Sequence, residues 1–401
     1  MGKLLGSVSL ELTSSVLSDE FDVHAFKPSK IDPSVRIDNH DRNIVMLRFF
    51  HSTSKRQAMV CLLLHSFYVF SLGIGQLKAV PMAEKGEESF RHEDGASITY
   101  RLSGVQEKRA CLQSIARAVL LIEENGGWRL DPMQIPQVAI LLDISDSPGL
   151  VISPTVIDAV LEFLSFRNYE KKDIFLVGFS KNLFHESGIL KNDKFLNYKI
   201  LHSDVPNYFS PLWYYDSPMP PSASDRAHFF IQNPYDHKVR QLEERKSMLP
   251  ACLFKKGVHW INLAVAKDDR FLAIDGAVSN LSLHSCTNTR RFLEDPLIGS
   301  AAAVEILGIP EFWEKRLFSI LDLSTFQVAS GSKFDAEFIF REDALLIGQN
   351  PLALDYYGID YLATKRKILG LKDRRSDELL LFKFGRELGM MDPQLAEIRD
   401  L

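Results

Sequence analysis

The sequence predicts an α/β protein, a mainly parallel sheet flanked by helices, on three observations. Short, continuous apolar runs alternate with stretches of helical periodicity. The runs are bounded by Pro and Gly and lack polar alternation, as strands buried on both faces require. The first two runs are separated by one helix, which makes a βαβ unit whose crossover should be right-handed.

Taken in order, residues 105–125 read as an amphipathic helix, with Cys111, Leu112, Ile115, Val119 and Ile122 on one face and a Gly126-Gly127 stop. Residues 138–144 (VAILLDI), between Pro136 and Pro148, form the first buried-strand candidate. A helix follows, with Ser153 as its cap, Pro154 in its first turn and Val156, Ile157, Val160, Leu161 and Leu164 along one side. Residues 173–179 (DIFLVGF) are the second strand. Residues 203–224 hold five prolines among aromatics and read as a long loop insertion, with Trp213, Tyr214 and Tyr215 packing it down or lining a pocket. Strand-like runs recur at 227–231, 259–266, 317–323 and 344–347, and a final helix runs from Pro351 to about residue 367, capped by Asn350.

The chain ahead of this domain is organised differently. Residues 1–45 are polar and aperiodic and read as an upstream or disordered segment. Within 46–83, Arg48, Lys55 and Arg56 precede an apolar run over 58–74 and then Gly73-Ile74-Gly75. That order describes a signal peptide if Met46 is the true start, and the protein is then expected to be exported, periplasmic or extracellular. A membrane anchor or a buried helix in a cytoplasmic protein is the alternative. Residues 84–97 are a linker, and 98–401 a single α/β domain.

Composition excludes several function classes. The chain is 46% hydrophobic and 25% charged, with a net charge of −5 from interleaved acids and bases. With no basic stripe and no RNP, zinc-finger or helix-turn-helix pattern, nucleic acid is not an expected partner. Cys61, Cys111, Cys252 and Cys286 are too scattered for a zinc ribbon, a redox CxxC or an iron–sulfur cluster, and read as buried small hydrophobes. HExxH, GxSxG, P-loop and strand-linked GxGxxG motifs are absent.

What remains is a set of polar residues at strand ends, where ligands gather in open α/β sheets. Asp143 and Asp146, Lys267-Asp268-Asp269, Asp322, and Asn350 with Asp355 fall there. Asp143, Asp268, Asp269 and Asp322 brought together would form an oxygen-rich site for a divalent cation, with Lys267 free to hold an anionic substrate. Lys267, Asp268, Asp269 and Asn280 are the catalytic candidates; Asn288, Arg290, Asn350 and Asp355 are the substrate-binding ones. Arg290 has the fork to clamp a carboxylate or phosphate. The competing reading is that Asp and Asn after strands are turn formers and helix caps, and that Arg290 and Arg291 form surface ion pairs with Glu294 and Asp295.

Residues 261–269 (INLAVAKDD), 275–281 (DGAVSNL) and 345–355 (LLIGQNPLALD), with Ile320-Leu321-Asp322, Arg366 and Gly370-Leu371, together resemble the domain of unknown function 362 family over roughly residues 135–372. That family has a Lys-Thr/Asp-His turn and a Gly-Ala-Leu-Lys-Asn-Leu segment, so Asp269 stands in place of its His and Ser279 in place of its Lys. Its optional ferredoxin-type cluster is absent. Asp143, Ser145, Asp146 and Pro154 are more distantly similar, at the level of fold, to the N-terminal half of nickel-pincer lactate racemase. Two functions stay open: an exported enzyme acting on a small anionic substrate with a divalent cation, or a non-catalytic ligand-binding or scaffold protein that keeps the fold. A small-molecule ligand is expected under both, membrane contact only through an uncleaved leader, and the oligomeric state is not legible.

Overall fold

The structure is a computed structural model describing residues 97–331, 333–372 and 379–401, all within one compact unit, Lys55–Leu401. The segments expected ahead of Ser97 lie outside the described residues.

Strand β1 (Ser97–Ser103) and helix α1 (Lys108–Gly126) lead into β2 (Gln137–Leu142), α2 (Pro154–Phe166) and β3 (Ile174–Val177). Next come α3 (Lys181–Glu186), β4 (Lys199–Leu201), β5 (Phe209–Asp216), α4 (Ala223–Gln232), α5 (His237–Glu244) and β6 (Lys246–Pro250). The second half holds β7 (Val258–Asp269), β8 (Ala273–Asp275), α6 (Ala277–Leu281), α7 (Pro296–Leu307), α8 (Pro310–Trp313) and β9 (Arg316–Gln327). It closes with β10 (Ile339–Phe340), β11 (Ala344–Gly348), α9 (Pro351–Ile368), α10 (Leu380–Glu387) and β12 (Ala396–Asp400).

The main sheet runs β12-β1-β11-β9-β7-β2-β3-β4, with β10 and β8 added at the ends of β9 and β7. Strands β4, β3, β2, β7 and β9 are mutually parallel, and β11 and β1 turn the far side antiparallel. From β2 the chain winds outward to β3 and β4; from β7 it winds the opposite way to β9. One crossover hand applied in two directions puts the connecting helices on opposite faces. That is what is found. Helices α1 and α2 cover one face, against Val138, Ile140, Leu142, Ile261 and Leu263. Helices α6, α7, α9 and α10 cover the other, against Ala139, Leu141, Ala264 and Leu346. Neighbouring residues on a strand thus enter different cores, which is why the strands are apolar throughout.

Two expectations need correction. Residues 203–224 are not one loop: β5 runs through them and pairs antiparallel with β6, and Pro211 falls where that register shifts, between Phe209 and Tyr214. Trp213 stacks on Phe254 at 4.4 Å and Tyr215 packs on Phe292, so these aromatics hold the insertion down. The run at 227–231 is not a strand but part of α4, whose cap Ser222 accepts from the Asp225 N–H; a five-residue apolar run has no period of its own to decide the matter. Between β5 and β6, neither α4 nor α5 has a buried residue. Ser153 does stand at the N-cap of α2, but its side chain makes no capping bond.

Candidate functional site

The change of winding direction falls between β2 and β7, and crevices at the carboxyl ends of such neighbours are where open sheets bind ligands. Asp143, just past β2, and Lys267, near the end of β7, meet there. The Lys267 Nζ is 3.3 Å from Asp143, 2.9 Å from Asp146 and 3.3 Å from Asp275, and 2.7 Å from the Ser145 Oγ. Ser145 donates in turn to Asp143 at 2.8 Å, and Asp143 also accepts from the Val265 N–H at 3.2 Å. Burial works against the charge on Lys267, but Asp143, Asp275 and Asp146 outweigh it and hold the ammonium group well above its ordinary range.

Asp275 links this cluster to His284, whose Nε2 lies 3.2 Å from it. Burial alone would push the Asp275 carboxyl up; His284 and Lys267 instead hold it well below the carboxylate range. Reciprocally, burial pulls the His284 imidazole down and Asp275 carries it above its ordinary value. The Ser279 hydroxyl also donates to Asp275 and accepts from the Gly276 N–H. Asp146 is different: burial raises its carboxyl despite the lysine beside it.

A cavity of about 430 Å³ opens over this cluster. Ser145, Asp146, Asp275, Asn280 and His284 line its polar side; Val177, Phe179, Leu183, Leu283 and Leu293 form apolar wall; Thr289 and Arg290 line it as well. His284 keeps 24% of its side chain exposed and Asp146 15%, against 2% for Lys267. This is the ordinary composition of a small-molecule site, mostly apolar with a few convergent polar groups.

The remaining sequence candidates are placed as follows. Asp268 faces away to Arg366 at 2.8 Å. Asp269 accepts from the Phe271 and Leu272 N–H groups in the turn to β8. Asp322 accepts from the Ser153 and Ser324 N–H groups. Asp143, Asp268, Asp269 and Asp322 therefore serve four separate networks, and among the described residues no group of three or more His, Cys, Asp or Glu is arranged to hold a metal ion. Asn350 caps α9. Asp355, on α9, accepts from the Ala277 and Val278 N–H groups at 2.6 and 2.9 Å, an approach that requires Gly276, because a Cβ there would collide with the carboxylate. Burial nonetheless pushes Asp355 up to about 8.

Asn288 donates to the Glu244 and Lys246 carbonyls of the insertion. Arg291, expected in a surface pair, is buried and donates to the Met219, Glu244 and Arg245 carbonyls and the Ser247 hydroxyl; burial lowers its guanidinium to about 10. Of the sequence candidates, Lys267, Asp143, Asn280 and Arg290 thus come to the cavity or its charged floor. Asp275 and His284 were not among the candidate residues, and Asp146 was placed at a strand end without a role. The signal available for Asp275 was its place directly before the Gly that lets a carboxylate approach α6.

No protein-family model matches the chain, and no curated protein matches it. A solved structure of a protein from Thermotoga maritima is similar over 67% of this chain and 60% of that one, at 10% sequence identity and a TM-score of 0.37. The chain therefore spans less than two thirds of that structure.

Proposed function

We propose that the protein is an enzyme that performs acid–base chemistry on a small molecule held in the strand-end cavity. The observation that carries this reading is the juxtaposition, in one cavity, of a carboxyl raised by burial, Asp146, and an imidazole oriented by a carboxylate, the Asp275–His284 pair. Burial raises Asp146 while His284 and Lys267 lower Asp275, and two carboxyls whose environments push them apart are the usual sign of an acid and a base sharing work. Lys267 offsets part of the floor's negative charge and is enclosed by oxygens, so its role here is to set the charge of the site. No cation is part of this proposal, since the four carboxylates once grouped for one are held in different networks.

The resemblance to the domain of unknown function 362 family and export to the periplasm or exterior belong to the same proposal. Support for export is the basic, apolar, small-residue order of residues 48–75. A mature N-terminus near the end of that run supports it, and an intact leader on the mature protein overturns it. A second reading, ligand binding without turnover, is favoured by Asp269 and Ser279: where the family has His and Lys, this chain uses a turn-capping carboxylate and a helix-capping hydroxyl.

The test is a thermal-shift screen of the full chain against amines, carboxylates, phosphates and polyols, followed by mass-spectrometric detection of product. A compound that stabilises saturably and is turned over, with turnover about 100-fold lower in His284→Gln, is expected. Turnover indifferent to His284→Gln overturns the acid–base reading, and binding with no turnover of any compound moves the assignment to the second.

A further inference from the structure

The substrate class follows, given that reading, from which hydrogen-bonding groups the cavity leaves unused. Asn262 donates its Nδ2 to the Ala277 carbonyl at 2.9 Å, so its Oδ1 faces Asn280. Asn280 must therefore turn its own Nδ2 to Asn262, at 2.7 Å, with the Leu263 carbonyl at 3.4 Å. Its orientation is thus set by an acceptor that cannot rotate. That leaves the Asn280 Oδ1 without a donor among the described residues, on a cavity-lining side chain whose residue is only 4% exposed.

Other groups point the same way. The hydroxyl hydrogens of Ser145, Tyr208 and Ser285 are spent on Asp143, the Gly178 carbonyl and the Asn280 carbonyl. Asp146 meets Lys267 through its Oδ2. Three carboxyls, Asp143, Asp146 and Asp275, face one lysine and one imidazole, so the floor has one acid more than it has bases, and an ammonium group beside Asp146 favours the ionised form that burial disfavours. Arg290, an exposed lining residue, donates to Ser224 of α4 at 3.0 Å. The Thr289 hydroxyl, the His284 Nδ1 and the rest of the Arg290 guanidinium also line the cavity, but its floor around Lys267 is dominated by carboxyl and amide acceptors, which repel a carboxylate or phosphate and satisfy an ammonium group.

We propose that the substrate is a small primary amine, its protonated nitrogen against Asp146 and the Asn280 Oδ1 and its apolar body along Phe179, Leu183 and Leu293. The amine supplies the donors that the floor lacks and brings its charge to balance. Burial of the apolar body supplies the rest of the affinity.

Isothermal titration of the full chain with phenethylamine, 2-phenylethanol and 3-phenylpropionate tests the class directly. Phenethylamine is expected to bind most tightly and 3-phenylpropionate not at all, and Asp146→Asn should weaken the amine by about tenfold or more. Should that variant fail to fold, Leu293→Ala, on the apolar wall, is expected to weaken the amine severalfold. Tighter binding of 3-phenylpropionate, lost in Arg290→Ala, overturns the amine assignment and leaves the enzyme reading standing. No binding by phenethylamine, while other compounds of the screen bind, does the same. No binding by any compound of any class overturns both.

Discussion

Lys267 and Asp268 are neighbours on β7, both buried, and their side chains lead to two different kinds of charged site. Asp268 pairs with Arg366, whose guanidinium also donates to the Val328 and Lys372 carbonyls, so a buried charge meets an opposite one and two carbonyls. Lys267 instead gathers three carboxylates, of which Asp146 keeps contact with a cavity. Evolution has many cheaper ways to fill a core than a buried ionic cluster, because desolvation offsets most of the Coulombic attraction. A balanced, enclosed pair reads as structure; an unbalanced cluster opening on a cavity reads as chemistry.

The sharpest way to break this comparison is to remove the central charge. Lys267→Met leaves three carboxylates facing one another and should cost about 3–5 kcal/mol in urea denaturation, or prevent folding. A loss below about 1 kcal/mol would show that water already reaches the cluster. Arg366→Met should cost about 2–3 kcal/mol by the same measurement while leaving ligand affinity unchanged, since its network is closed and away from the cavity.

A smaller effect is expected from pH. Asp275 holds the folded-state affinity of His284 for protons above that of the unfolded chain. The stabilisation from this pair is therefore fully present below about pH 6.5 and is lost as pH rises through the folded value. Imidazole NMR should find His284 titrating above the ordinary range in the native chain and lower in Asp275→Asn; equal values in the two would remove the pair from the account. The smallest effect belongs to the insertion. Tyr235 is 99% exposed and Ile231 75%, so Ile231→Ser should change stability by less than about 0.5 kcal/mol in thermal or urea unfolding.

The sequence and the structure agree where local physics is decisive. The runs 138–144, 173–179, 259–266, 317–323 and 344–347 each hold a strand, the first two over 137–142 and 174–177 only, because length and unbroken apolarity leave little else, and Asn350-Pro351 starts a helix because cap and fixed φ coincide. Helix α7 was not legible: PLIGSAAAVEIL is apolar on nearly every side, so no stripe marks its period. The mixed edge, with β1 antiparallel to β11 and parallel to β12, depends on pairings between residues hundreds of positions apart, which no local pattern encodes. In the candidate site, Lys267 and Asp143 were legible as polar residues closing apolar runs. Asp146 and His284 gained their meaning only from what folds beside them, and Asp268 and Asp269, two more strand-end acids, went to an ion pair and a turn.

The most direct test sets Asp146→Asn beside Asp268→Asn, comparing melting temperature and binding of the best screening hit. Because burial already disfavours the ionised form of Asp146, its amide should melt at the native temperature or above and lose ligand affinity. Asp268→Asn should melt lower and keep that affinity. The opposite pattern, with Asp146→Asn unstable yet still binding and Asp268→Asn stable but unable to bind, would contradict the assignment of function to the Lys267 side of the strand.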